Sequence, residues 1–206
     1  MLHYTAIDDS TLELLKELLA IPYFDNLYLV GGTSLALQIG HRKSIDLDLF
    51  GKIDADDISI SQSLNSIGRT RLIKKTPNIQ IYVVNDIKVD IVNYHYPWLD
   101  TPIGVDQLRL AGKRDIAAMK LGAIAGRGSR KDFVDLYFLL KEFSLKELLS
   151  FYNEKYNDGS SFLVLKSLTY FDDADTDPHP NMLKSTDWKE VKQSIVNSVD
   201  TFLKSS

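Results

Sequence analysis

Apolar positions along the chain alternate between two periods. Leu12, Leu15, Leu18 and Leu19 recur at helical spacing, behind Ser10-Thr11-Leu12-Glu13, which reads as a capping box. Pro22 ends that helix. Leu27 to Val30 is a short apolar strand, and Gly31-Gly32 follows as a turn that needs backbone freedom. Thr33 to Ile39 predicts a short helix stopped by Gly40. From Ile45 to Phe50 the period drops to two, with Ile45, Leu47 and Leu49 set against Asp46 and Asp48, as in a strand with one buried face. A helix is expected from about Asp56 to Ile67. Ile79 to Val84 and Ile87 to Val92 form a hairpin about Asn85-Asp86.

Beyond Pro97 and Pro102, which bracket a loop, the pattern is helical only. Asp115 to Ala125 is Ala-rich and is broken by Gly126-Arg127-Gly128-Ser129, and Lys131 to Phe143 is a more apolar helix. From Leu145, helices flank an acidic, Pro-containing loop from Asp172 to Pro180, and Asp187 to Leu203 closes the chain as an amphipathic helix. No internal repeat appears. The expected class is α+β: a small mixed sheet with flanking helices in residues 1–110, and a helical part in residues 111–206 that completes the active site.

Composition narrows the classes. The 206 residues suffice for a sizeable core, and no Cys is present, which excludes a disulfide scaffold and a Cys-ligated metal. No signal-like or membrane-spanning run occurs, so a cytoplasmic protein is expected, without a membrane partner. The net charge is −4, but Lys and Arg concentrate at Arg69 to Lys75 and Arg109 to Lys131. The four histidines lack metal-ligand spacing.

Asp46 and Asp48 carry the sharpest chemistry. At i and i+2 of a strand, two carboxylates share one face, and their repulsion calls for a cation. Paired hard oxygens suit Mg²⁺, which takes one or two carboxylates together with substrate phosphates. Strand, Gly31-Gly32-Thr33-Ser34, then helix places backbone N–H groups at a helix N-terminus, where anions are favoured. Lys113, Lys120 and Arg127 recur every seven residues, a basic stripe able to grip phosphates or a nucleic-acid backbone. Asp132 and Asp135 are neighbours on one helix side, and apolar surroundings demand a partner for Asp135, with Arg127 or Lys131 in reach. Tyr94, Tyr96 and Trp98 read mainly as a loop packed on the core.

Gly31 to Leu37, with His41-Arg42-Lys43-Ser44-Ile45-Asp46-Leu47-Asp48-Leu49-Phe50, resembles the signature of the AbiEii/AbiGii toxin family, in the DNA-polymerase-β-like nucleotidyltransferase superfamily. Lys120 to Arg127 and Lys131 to Tyr137 resemble its downstream motifs. The resemblance implies that Gly31, Gly32, Thr33 and Ser34 meet the phosphates of a nucleoside triphosphate, leaving open which hydroxyl bonds them. It implies that Asp46 and Asp48 hold Mg²⁺, two ions in all, with Asp90 as a third carboxylate that takes a proton or completes the second metal site. Lys120 would neutralise the triphosphate, Arg42 would orient Asp46 or touch the nucleotide, and Asp132 and Asp135 fall on the last acidic motif. Arg127 joins the nucleotide-binding set. The implied setting is a toxin paired with a cognate antitoxin and acting on transfer RNA. A nucleotide-binding interaction protein without catalysis, or a transferase acting on protein or on a small molecule, are the rival readings.

Overall fold

The computed structural model describes residues 1–205 and divides into two compact units: Met1–Tyr96 with Thr101–Ala111, and Pro97–Asp100 with the chain from Gly112 onward. In the first unit α1 (Asp9–Leu19) leads to β1 (Leu27–Leu29), α2 (Gly31–Ile39), β2 (Leu47–Gly51) and α3 (Asp57–Ile67). The strands β3 (Thr70–Lys75), β4 (Ile79–Val84), β5 (Ile87–Asn93), β6 (Ile103–Val105) and β7 (Leu108–Leu110) follow. Among the described residues they form one mixed sheet, ordered β3-β4-β5-β2-β1-β7-β6, in which β2 lies parallel to β5 and antiparallel to β1.

The sheet has two unlike faces. Leu47 and Leu49, Val89 and Ile91, and Tyr82 and Val84 are buried with the leucines of α1 and with Ile60 and Leu64 of α3. Gln80 pins α3 to this face, donating from Nε2 to Asp57 at 2.7 Å while accepting from Tyr82 Oη at 2.6 Å. The opposite face carries Asp48, Phe50, Asp90, Ile81 and Val83, none of them fully buried.

Several details differ from the sequence pattern. Strand β2 begins at Leu47, so Ile45 precedes it and stands 59% exposed; the alternation holds only from Leu47 on. The Ser10 capping box does not form, because α1 starts two residues earlier, at Asp9. Asp8 is then the N-cap, with no side-chain cap bond, and its carboxylate accepts from Lys43 Nζ at 3.0 Å. The pattern passes over β3, an exposed edge strand whose sequence Thr-Arg-Leu-Ile-Lys-Lys has no period of two, and over the short β6–β7 pair. The hairpin stands as expected: Asn85 and Asp86 have φ of 48° and 67°, the left-handed pair of a type I′ turn. Arg109, one of the clustered cations, is a clamp. Its guanidinium donates to the carbonyls of Leu19, Phe24 and Leu27 at 2.9, 2.8 and 3.2 Å, satisfying the C-terminal end of α1 and the turn after it.

The second unit is helical: α4 (Lys113–Gly126), α5 (Arg130–Leu139), α6 (Leu145–Lys155), α7 (Ser161–Ser167), α8 (Asp172–Thr176) and α9 (Trp188–Ser205). Helix α4 packs on α5, α6 and α7, and α9 lies on α5 and α6. The acidic segment after Asp172 opens as the short helix α8. Its acids are used: Asp175 accepts from Trp188 Nε1 at 2.6 Å and Lys192 Nζ at 2.9 Å, and Asp177 accepts from the Arg130 backbone N–H at 2.9 Å. No helix among the described residues is long and apolar enough to cross a membrane.

Lys155 and Asp115 are both fully buried, with Nζ 2.7 Å from Oδ1 and 2.7 Å from the Pro97 carbonyl, over the Trp98 ring. Asp115 also accepts from the backbone N–H groups of Leu99 and Asp100 at 2.9 and 3.0 Å. Burial lowers the Lys155 pKa, and the hydrogen bond and charge of Asp115 oppose that fall. Lys155→Met leaves a buried carboxylate without its cation, a change that costs about 3–5 kcal/mol. Urea unfolding is the measurement, and a wild-type midpoint for Lys155→Met would refute the assignment.

Candidate active site

The site of the first unit is built where β1 runs into α2. Gly31 opens α2 with φ +67°, a conformation that only glycine adopts without strain. A Cβ at Gly31 would stand 2.3 Å from Asp48 Oδ2, so the carboxylate rests against bare backbone. The Val30 N–H donates to the Asp48 carbonyl at 2.9 Å, which fixes this approach. Val30, the N-cap, supplies no side-chain cap, and the first turn of α2 presents its positive end beside Asp48.

Both hydroxyls of the Gly31-Gly32-Thr33-Ser34 turn are buried and engaged internally. Thr33 Oγ1 bonds the backbone carbonyl of Asp46 and stands 2.8 Å from Ser44 Oγ. Ser34 Oγ accepts from Gln38 Nε2 at 3.1 Å, and the same amide donates to the Ala111 carbonyl at 3.0 Å. Thr33 therefore holds the segment before β2 against α2, Ser34 is engaged within α2, and the start of the turn offers an anion its backbone N–H groups. Arg42 is 4% exposed, with Nη1 donating to the Lys43 carbonyl at 2.9 Å.

Asp46 lies one residue ahead of β2, and Asp48 is its second residue. Parallel pairing sets Asp48 in register with Asp90 of β5, so the two carboxylates stand side by side on the open face. Lys88, two residues before Asp90 and on its face, donates to both Asp90 oxygens at 2.6 Å. The sequence reading passes over Lys88, although the i, i+2 spacing on a strand is the signal that finds it. The next row of the same face is aromatic: Tyr28 pairs with Phe50, Phe50 with Val92, and the Phe50 ring lies 5.3 Å from Tyr94. Asp46, Asp48 and Asp90 offer oxygen donors only, the set that suits Mg²⁺. Among the described residues no three His, Cys, Asp or Glu side chains are already gathered as a metal cage. A pair of carboxylates fits an ion that completes its shell with water and substrate phosphates.

The other residues singled out by sequence gather in the second unit. Lys120, 5% exposed, places Nζ 3.0 Å from Asp132 Oδ1 and 2.6 Å from Asp135 Oδ2, and both acids are fully buried. Lys120 thus supplies the cation that Asp135 needs, a pairing across two helices that linear spacing does not show. Arg127 Nε and Ser129 Oγ donate to Asp132 Oδ2 at 3.0 and 2.6 Å. The basic stripe of α4 is met by acids along its length, since Lys113 pairs with Glu142 at 2.6 Å. Burial works against the Asp132 charge. Lys120, Arg127 and Ser129 outweigh it and hold the carboxyl well below the usual carboxylate range.

A depressed folded-state pKa stabilises the fold above the unfolded value, about 3.9 for Asp. That contribution is lost as pH falls below this value toward the folded one. Asp132→Asn should therefore unfold at lower urea than wild type at pH 7, with the gap narrowing as pH falls below about 4. A gap that stays constant from pH 7 down to acid would show that the charge of Asp132 contributes nothing.

Comparison with known proteins agrees with this architecture. Residues 13–204 match the family described as nucleotidyl transferase AbiEii toxin, type IV toxin–antitoxin system. An uncharacterized protein of Aquifex aeolicus (strain VF5) is 34% identical over 197 residues, covering 93% of this chain and 95% of its own. Two solved structures share the fold: JHP933 from Helicobacter pylori, and MenT4, a nucleotidyltransferase toxin of Mycobacterium tuberculosis H37Rv. The first has TM-score 0.58 and 20% identity, covering 97% of this chain and 94% of its own. The second has TM-score 0.55 and 16% identity, covering 92% and 82%. With a match spanning nearly the whole chain, and an α+β fold that sets paired aspartates beside a glycine turn, the protein belongs to the AbiEii nucleotidyltransferase toxin family.

Proposed function

We propose that this toxin-family nucleotidyltransferase moves a nucleoside monophosphate from a nucleoside triphosphate to an acceptor hydroxyl on transfer RNA, in the cytoplasm, with Mg²⁺ and under control of a cognate antitoxin. The observation that carries the reading is the contact of Asp48 with Gly31, beside the register pair Asp48–Asp90. It puts carboxylates and a helix N-terminus around one small volume, which suits a cation together with a polyphosphate.

In this mechanism Asp46 and Asp48 would hold the metal, which leaves Asp90 for the proton. Bound there, Mg²⁺ supplies charge stabilisation for the attacking and leaving oxygens. The N–H groups at Gly32 and Thr33 donate to phosphate oxygens, because the two hydroxyls are committed to the Asp46 segment and to Gln38, and the Ser34 N–H donates to the Val30 carbonyl at 3.4 Å. The acceptor oxygen forms a bond to the α-phosphorus as the bond to the pyrophosphate oxygen breaks. The hydroxyl proton passes to Asp90, whose charge Lys88 balances. In the second unit Lys120 acts by holding Asp132 and Asp135. Arg127, with a side chain 64% exposed, is the cation of that cluster that a phosphate can reach.

The test supplies purified protein with Mg²⁺, each labelled nucleoside triphosphate, and total RNA or total protein as acceptor. Label is expected in the transfer RNA fraction. Asp46→Ala and Asp48→Ala should each lower transfer on the order of 10² to 10³-fold, as removal of a group stabilising transition-state charge does. Label in protein alone, or equal transfer by Asp48→Ala, would overturn the reading. Gly31→Ala drives a methyl into the Asp48 carboxylate at a left-handed backbone position. It should lose transfer to a similar extent and about 1–2 kcal/mol of stability; wild-type transfer by this variant would remove the Gly31 contact from the mechanism.

A further inference from the structure

We infer that the open face of the sheet, from Asp90 to the β3 edge, is a track for a single-stranded RNA segment. In this track Arg71 and Lys74 hold the phosphates and Ile79, Ile81 and Val83 lie under the bases. The argument rests on register. Asp48 pairs with Asp90, Asp90 with Ile81, and Ile81 with Lys74, so one straight row crosses four strands from the carboxylates to the edge. The neighbouring row runs Lys88, Val83, Arg71. At about 4.8 Å per strand, Lys74 lies roughly 14 Å from Asp48 along the sheet, the reach of a few nucleotides.

Lys74 is on this face only because of a bulge. The register shifts between Leu72 and Lys74, with Ile73 as the additional residue. Without it the alternation would turn Lys74 toward α3 and Lys75 away. With it Lys75 meets Asp57 on the α3 side and Lys74 points the other way.

Charge separates the cations of this corner into two groups. Arg69 pairs with Asp86 at 2.8 Å, Lys75 with Asp57, and Lys88 with Asp90 at 2.6 Å. Arg71 and Lys74 are exposed, and among the described residues neither has an acid within ion-pair distance. In a chain of net charge −4, two uncompensated cations in line with a catalytic row are a local anion site. Between them and the carboxylates the face is apolar and accessible, with Ile79 38% exposed and Ile81 and Val83 partly exposed. Single-strand sites pair a cationic path for the backbone with side chains that meet base faces, most often aromatic ones; here the branched aliphatic Ile79, Ile81 and Val83 supply the apolar contact. A protein strand adding to β3 is disfavoured, since a bulge and edge lysines are the devices that block such pairing.

This inference rests on the transfer reading above for its direction, and its test does not depend on transfer. A fluorescent single-stranded RNA is titrated with the full chain, without nucleotide, over a series of salt concentrations. Arg71→Ala/Lys74→Ala should weaken binding about ten-fold near 0.1 M salt and flatten the log–log salt slope by about 1.4, two contacts at roughly 0.7 each. Lys146→Ala/Lys166→Ala, which removes the same charge from exposed helical positions, should leave both quantities unchanged. A non-hydrolysable triphosphate should bind wild type and Arg71→Ala/Lys74→Ala alike, which shows that the variant is folded. Wild-type RNA affinity and slope in Arg71→Ala/Lys74→Ala, equal weakening by the two double variants, or no salt-dependent RNA binding by wild type would each overturn the inference. If the transfer reading alone fails, RNA binding keeps this pattern while no label moves.

Discussion

The arrangement of the first unit depends on a like-charge pairing. Parallel pairing of β2 with β5 puts Asp48 directly beside Asp90, an alignment that on its own destabilises a sheet. The protein offsets it from two sides. Lys88 takes both oxygens of Asp90, and the N-terminal turn of α2 faces Asp48 across the bare Cα of Gly31. The fold tolerates the pairing because the opposite face of the same strands is packed with Leu47, Leu49, Val89 and Ile91.

The second unit handles charge in the other way, by enclosing it. Asp115 with Lys155, and Asp132 and Asp135 with Lys120, place acids of no accessibility against cations of almost none. Such groups add little net stability over apolar packing, but each fixes one arrangement, since any slip leaves a charge without its counter-ion. Asp115 also holds the backbone of Leu99 and Asp100, so one carboxylate orders a helix start and the segment before it. The aromatic group of Phe133, Phe171 and Trp188 closes the other end, with rings 4.9 to 6.1 Å apart.

The basic residues that look alike in sequence thus separate into four environments. Arg109 caps carbonyls, Lys120 is enclosed by acids, Arg127 is paired and exposed, and Arg71 and Lys74 are exposed without an acid. Charge density along the chain shows where the cations are. It does not show which of them still carry an uncompensated field, because that depends on which acids other strands and helices deliver.

Local rules were enough for much of the fold and for the placing of Asp48 and of the glycine turn beside it. The period-2 run at Leu47 and Leu49 fixed a strand with Asp48 on its other face, Asn85-Asp86 fixed the hairpin, and Gly31-Gly32 between strand and helix fixed the turn. In each case the determinant lies within a few residues, so sequence spacing is spatial spacing. The edge strand β3 escaped because its residues pack on little and its alternation is broken by the bulge at Ile73. The pairing of Asp48 with Asp90, of Asp135 with Lys120, and the placing of Lys74 on the carboxylate face were decided only by tertiary structure. Each joins residues from separate elements, and strand order, register and helix packing are set by the burial of whole faces rather than by any local pattern.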